Sequence, residues 1–224
     1  MAAPLPRRIR SRWRRRGIAF ALLAVVGVGI ALGVSLSRAS GISPLRARIV
    51  AEAESQVGYS ADPAHSYCNK FSAYWGAGVA DCGNGNRDEE WCADFAAWAW
   101  REAGAVVPYE LQPGDLNADS ASFYVWGEDH GTWHPVSSQY VPQPGDVAVY
   151  GLDPVAVTAV HVAVVTAATA DPGAPDVVNG DGDRTGYSVV ETGTHQADAD
   201  VSGTGAPLSG YVSPLSPAPS ATGS

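Results

Sequence analysis

The stretch Asp88-Glu89-Glu90-Trp91-Cys92-Ala93-Asp94-Phe95-Ala96-Ala97-Trp98-Ala99-Trp100-Arg101-Glu102-Ala103-Gly104 reads as one helix. Trp91, Phe95, Trp98 and the alanines recur at three- and four-residue spacing, a wide apolar stripe that must be buried. Asn86 or Asp88 can cap its start, and Glu89 and Glu90 suit a first turn where the macrodipole is positive. Gly104 is the expected left-handed stop. Cys92 then falls in the first or second turn, where the dipole and free N–H groups favour an anion, and the thiolate is the nucleophilic form of cysteine. The competing reading is a core cysteine among tryptophans, since free cysteine is among the most buried residue types.

Working outward from this helix, the chain of 224 residues is 46% hydrophobic, enough for one domain with a substantial core. Its net charge of −9 is unevenly spread. Eight of the 14 basic residues precede residue 41 and no acidic residue does, leaving six cations against 23 acids, a net −17, on the remainder. So acidic a domain is repelled by nucleic acid and by anionic surfaces, and no nucleic-acid partner is expected. Seven arginines lie between Arg7 and Arg16, and about 20 uncharged residues follow from Gly17 to Ser37, long enough to span a bilayer. Basic charge ahead of the apolar run puts residues 1–16 in the cytoplasm and the rest outside. Ser37-Arg38-Ala39 suits a signal peptidase, but the run exceeds the ~7–15 residues of a signal core, which favours an uncleaved anchor over residues 17–38. The exported part is thus free to form disulfides.

Ser43-Pro44 reads as an N-cap followed by proline at the first helical position, with Leu45, Ile49, Ala53 and Val57 at helical spacing and Gly58 as the stop. A second short helix is expected over Cys68 to Trp75, then a loop from Asp81 to Asn86. Ala121, Phe123, Tyr124 and Trp126 suggest a further helical turn or two, and His130 to Tyr140 reads as irregular. Pro142-Gln143-Pro144-Gly145-Asp146 is turn chemistry, and beyond it the period changes. Val147 and Val149 alternate, His161-Val162-Ala163-Val164-Val165 is β-rich, and strands over 176–179 and 187–191 flank Gly180-Asp181-Gly182-Asp183. Gly210-Tyr211-Val212 is a candidate last strand, and disorder is expected over 214–224. Helices first and an antiparallel meander after argue for an α+β domain over 39–213.

Three residue types now combine. Cys92 heads a helix, His161 opens a strand 69 positions later, and Asn179 ends a strand 18 positions after that. Nucleophilic cysteine catalysis needs an imidazole to take the thiol proton and a third polar group to hold the ring in one tautomer.

Trp91-Cys92-Ala93-Asp94-Phe95, then Pro142-Gln143-Pro144-Gly145-Asp146-Val147, then His161-Val162-Ala163-Val164-Val165 resemble the CHAP domain, the cysteine- and histidine-dependent amidohydrolase/peptidase. The resemblance covers about residues 45–213. It implies a papain-like fold, N-terminal helices packed on a small antiparallel sheet, that cleaves amide bonds in peptidoglycan without a cofactor. The family's nucleophile falls on Cys92, its base on His161 and its third member on Asn179, with Asp181 able to share that role. Cys92 N–H is the expected oxyanion donor, with Asn86 a candidate second. If Cys92 is the nucleophile, Cys68 and Cys82 are left to pair as a disulfide.

The Asp-x-Asp calcium loop that some relatives carry is absent, with Gly83 and Gly85 in its region. Asn179-x-Asp181-x-Asp183 lacks the glycine and glutamate of an EF-hand, so no metal is expected. His65 and His195 read as exposed loop residues, Tyr124 and Trp126 as core, and His130, Trp133 and His134 either line a cleft or support a turn. Peptidoglycan is the expected partner, with the membrane engaged through the N-terminal segment. A catalytically inactive wall-binding or scaffold domain of the same fold is the alternative. A zinc domain built on His65, Cys68, Cys82 and Cys92 fails on the wide spacing of its second pair. The arginines and apolar run should leave the protein membrane-bound with its N-terminus inside. Cell fractionation checks this, and a mature form in the culture fluid beginning near Ser40 would exclude the anchor.

Overall fold

The computed structural model describes residues 41–110, 114–182, 188–199 and 205–218. The expected cytoplasmic segment and anchor, residues 1–38, lie outside them. Among the described residues no helix is long and apolar enough to cross a membrane.

Helix α1 spans Pro44–Ser55, with Ser43 Oγ accepting from Arg46 N–H as its cap. Leu45, Ile49 and Ala53 form its buried stripe. The stripe ends there, because the helix stops at Ser55 and leaves Val57 exposed rather than buried as the spacing suggests. Strand β1 (Cys68–Asn69) takes the first residues of the expected second helix, which becomes α2 (Lys70–Trp75). Asn69 caps α2 by accepting from Ser72 N–H at 2.7 Å. β1 pairs with β3 (Arg87–Asp88), which also pairs with β2 (Ala80–Asp81), all antiparallel.

This small sheet moves the start of the central helix. Residues 87 and 88 are held in a ladder, so neither Asn86 nor Asp88 caps α3, which runs Cys92–Glu102. Glu89 and Glu90 precede the helix rather than filling its first turn. Gly104, at φ 88°, does provide the left-handed stop. Eight of the eleven residues of α3 are buried, four of them alanines, which lets neighbours approach closely.

Helix α4 (Ala121–Asp129) is followed by β4 (Trp133–Pro135), in a region whose sequence reads as irregular. β4 forms because it pairs with a strand nearly 80 residues away, which local pattern cannot reveal. Next come β5 (Val147–Tyr150), β6 (His161–Ala167), β7 (Asp176–Gly182), β8 (Val189–Gly193), β9 (Asp198–Ala199) and β10 (Ala206–Val212). The main sheet is antiparallel, in the order β4-β10-β5-β6-β7-β8, with β9 also on β10. The meander is therefore real from β5 to β8, but the last strand returns to the middle. The mixed helices and antiparallel sheets make this an α+β fold.

Both sheet faces are covered. Val147, Val149, Val162, Val164 and Val178 face the helices, while Ala148, Tyr150, Ala163, Val165 and Val177 belong to a second cluster with Leu208 and Tyr211. Hence all four residues of β5 are buried rather than alternating. Structure also continues past Ser213, where disorder is expected. Val106 N–H donates to Leu215 O, and residues 219–224 lie outside the described chain.

The turn before β5 ties the layers together. Asp146, fully buried, accepts from Arg46 Nη1 at 2.7 Å, from Tyr140 Oη and Gln143 N at 2.8 Å, and from Ser213 Oγ at 2.9 Å. On β7, a Cβ at Gly180 would overlap the Cβ and ring of Phe95 on α3. Gly180→Ala should therefore lose about 1–3 kcal/mol of stability, the usual range for overpacking. Urea denaturation of the full chain measures it, and an unchanged midpoint would mean that α3 can move off the sheet freely.

Candidate active site

Cys92 is the first residue of α3. The N–H groups of a helix's first turn have no partner within the helix, and the positive end of the macrodipole lies there. Asp181 anchors this end. Its Oδ2 accepts from Trp91 N–H at 3.1 Å, and Ser188 Oγ bridges Asp181 Oδ1 to the Trp91 indole N–H. Trp91 is fully buried and stacks on Phe71 at 5.3 Å. Asp181 thus holds the start of the helix, while the hydrogen-bond partner of the imidazole Nε2 is Asn179 rather than Asp181. Its φ of 56° turns it out of the regular β7 alternation.

Asn86 is not placed as an oxyanion donor. Its side-chain amide donates to Asp62 O at 3.3 Å and Cys68 O at 3.5 Å, holding the loop between β2 and β3. Cys82 of that loop is bonded to Cys68 of β1, with the sulfurs 2.05 Å apart, leaving Cys92 as the free cysteine among the described residues. Two sulfurs so placed are not available to a zinc quartet with His65 and Cys92.

His161, the first residue of β6, is 3% exposed. Ala163 pairs with Asn179 across β6 and β7, so His161 and Asn179 stand diagonally on one face. His161 Nε2 lies 3.0 Å from Asn179 Oδ1. With an amide oxygen as acceptor, Nε2 carries the proton and Nδ1 keeps the lone pair.

Behind Asn179 stands Gln196, which the sequence does not single out. The two amides pair reciprocally: Asn179 Nδ2 donates to Gln196 Oε1 at 3.0 Å, and Gln196 Nε2 donates to Asn179 Oδ1 at 3.1 Å. Gly193 gives Gln196 its room, since a Cβ there would strike the Gln196 amide. This pairing suits a carboxamide. A carboxylate at 179 would set oxygen against Gln196 Oε1.

The second unforeseen residue is Ser120, whose Oγ lies 3.1 Å from Cys92 Sγ. The backbone N–H of Val162, next to His161, also acts to lower the thiol. Among the described residues no hydrogen bond joins Cys92 to His161 directly. Burial pushes the thiol up to about 12, opposed by the Ser120 and Val162 hydrogen bonds and reinforced by Asp181 and Asp94. Burial also pushes His161 down to about 4, against the Asn179 hydrogen bond. The resting pair is therefore a neutral thiol and a neutral imidazole.

The acids ahead of the helix act elsewhere: burial, with Asp94 and then Glu90 and Asp88 adding, raises the Glu89 carboxyl above its ordinary value. Asp94 itself is fully buried, accepting from Ser72 Oγ at 2.5 Å and from Tyr109 Oη. In the Asn179-x-Asp181-x-Asp183 run, Asn179 is engaged by His161 and Gln196, Asp181 by Trp91 and Ser188, and Asp183 lies outside the described residues. His130 Nδ1 donates to Trp126 O, 2.8 Å away, Trp133 packs edge-on to Tyr124, and His134 stacks on Tyr140 at 3.8 Å. These three support the turn around β4.

In comparison with protein families, the family model of the CHAP domain matches residues 81–181, a span that holds Cys92, His161 and Asn179. No curated protein and no solved structure matches the chain.

The lowered His161 has a consequence in acid. The unfolded imidazole takes up a proton near its ordinary 6.5, whereas the folded one refuses it until about 4. The unfolded state binds more protons, so stability is lost as the pH drops through that window, by about 3 kcal/mol at ~1.4 kcal/mol per unit. His161→Gln should remove this share of the acid sensitivity. Urea denaturation at pH 7 and pH 4.5 should show a clearly larger loss for the wild type, and equal losses would contradict a neutral buried imidazole.

Proposed function

Starting from the CHAP domain that this chain carries, a domain generally of cysteine- and histidine-dependent amidohydrolases or peptidases, we propose that the protein is an exported cysteine-dependent peptidoglycan hydrolase. It cuts an amide bond, as an N-acetylmuramoyl-L-alanine amidase or as an endopeptidase of the peptide stem or cross-bridge. The observation that carries the reading is the His161–Asn179 pair on β6 and β7, with the free cysteine Cys92 at the start of the helix packed on those two strands. Export is supported by the arginine run and the apolar stretch after it, with the anchor holding the domain near the wall. The Cys68–Cys82 pairing fits that compartment and keeps both sulfurs away from the nucleophile.

In this mechanism His161 Nδ1 takes the Cys92 proton as the thiolate attacks the amide carbonyl. Each charged form is disfavoured alone by burial, so the thiolate and imidazolium form together and stabilise one another. The Cys92 N–H at the start of α3 faces the developing oxyanion, and the helix end adds its dipole. The imidazolium returns its proton to the leaving amine, and water then hydrolyses the thioester with His161 again as base. Asn179, locked by Gln196, keeps the ring in the Nε2–H tautomer throughout.

Cys92→Ala and Cys92→Ser should fold normally and lose nearly all release of fragments from purified sacculi. His161→Ala should lose about 10²–10⁴-fold, the usual worth of a general acid–base group. Asn179→Ala should lose less, because the ring still finds its tautomer part of the time. Circular dichroism controls for folding, and mass spectrometry of the fragments names the bond. A Cys92→Ala protein that still solubilises wall would end the cysteine mechanism. A wild-type chain that binds sacculi and releases nothing would instead support the inactive wall-binding alternative.

A further inference from the structure

Ser120 stands immediately before α4, where serine commonly caps a helix. Its hydroxyl makes no capping bond; the Ala121 N–H is taken by Asp119 Oδ1 at 2.8 Å. Ser120 is turned to the Cys92 sulfur, 3.1 Å away, with both residues 7% exposed. A buried serine relieved of capping and aimed at the candidate nucleophile has a geometry that helix formation does not explain.

We propose that Ser120 is a further catalytic residue, whose hydroxyl accepts from the Cys92 thiol at rest and turns to donate to the thiolate when it forms. The proposal rests on the cysteine mechanism above. A hydroxyl is both donor and acceptor, so one side chain can follow the change of charge by rotating its proton. In the step itself the S–H bond breaks, its electron pair stays on sulfur, and the proton passes to His161 Nδ1. No bond of Ser120 breaks. The titratable groups around the sulfur are Asp181 from β7 and Asp94 from α3 itself, both opposing negative charge, with His161 beside Val162 on β6. Against two carboxylates, the thiolate is favoured by the start of α3, the Val162 N–H and the Ser120 hydroxyl. Ser120 is the only one of these three that a side-chain substitution removes. It also gives the resting thiol a partner other than the base, so thiolate formation exchanges one hydrogen bond for a stronger, charge-assisted one.

The test is the pH dependence of iodoacetamide labelling of Cys92 in the full chain, for wild type, Ser120→Ala and Ser120→Thr. Ser120→Ala should move the curve upward by about one pH unit, a tenfold loss of thiolate at a given pH, as expected for one lost hydrogen bond to a charged group. Ser120→Thr keeps the hydroxyl and should recover most of that shift. Thermal unfolding of each variant separates a local effect from a folding defect. An unshifted Ser120→Ala curve would overturn the proposal. So would equal shifts in the alanine and threonine variants, because packing rather than the hydroxyl would then be at work. Labelling needs no substrate, so a failure of the wall-hydrolase reading would show in the sacculus assay and leave this readout intact.

Discussion

Helix α3 lies against β7 because Gly180 has no side chain, and the rest of the site depends on that approach. Phe95 occupies the space a Cβ would take. With the helix seated there, its first residue, Cys92, comes level with the start of β6, and Asp181, the next residue on β7, reaches the Trp91 N–H. One glycine therefore brings the helix that begins with Cys92 to the strand bearing Asn179. From the far side, the Pro142–Asp146 turn holds the same arrangement. Arg46 of α1 reaches Asp146, and the Trp100 indole of α3 donates to Gly145 O at 2.9 Å.

The site places two opposing demands on burial. Excluding water strengthens every hydrogen bond in the cluster, but it also disfavours a lone thiolate and a lone imidazolium. The chain answers with neutral groups. Asn179 and Gln196 orient the ring without adding charge, and Ser120 meets the sulfur without adding charge. Charge stays at the margin, in Asp181 and Asp94, each already engaged by hydrogen-bond donors. That is why a carboxamide suits position 179 in this chain.

What the sequence revealed follows the range of the interactions involved. The stripe of α3, the cap of α1, the turn before β5 and the strands bearing His161 and Asn179 are local patterns, and they stand where the residues indicate. The start of α3 was misjudged because Arg87 and Asp88 pair with residues up to 20 positions away. Asp181 looked like a partner for His161 by spacing, but a positive φ turns it toward Trp91. Ser120 and Gln196 carry no local signal at all. Each is an ordinary polar residue in a polar stretch, given its place by tertiary contacts 28 and 17 positions away in sequence.

The last strand has a further consequence. β10 lies between β4 and β5, so two ladders of the main sheet wait for residues 206–212. A chain made from its N-terminus onward delivers these residues after every other described strand of the sheet. Until then β5 has β6 alone as a neighbour, and the strand pair that carries His161 is supported from the β7 side only. Such a topology postpones completion of the sheet around His161 until residues 206–212 have joined it, so a chain cut short before them would hold the His161–Asn179 pair in an unfinished sheet.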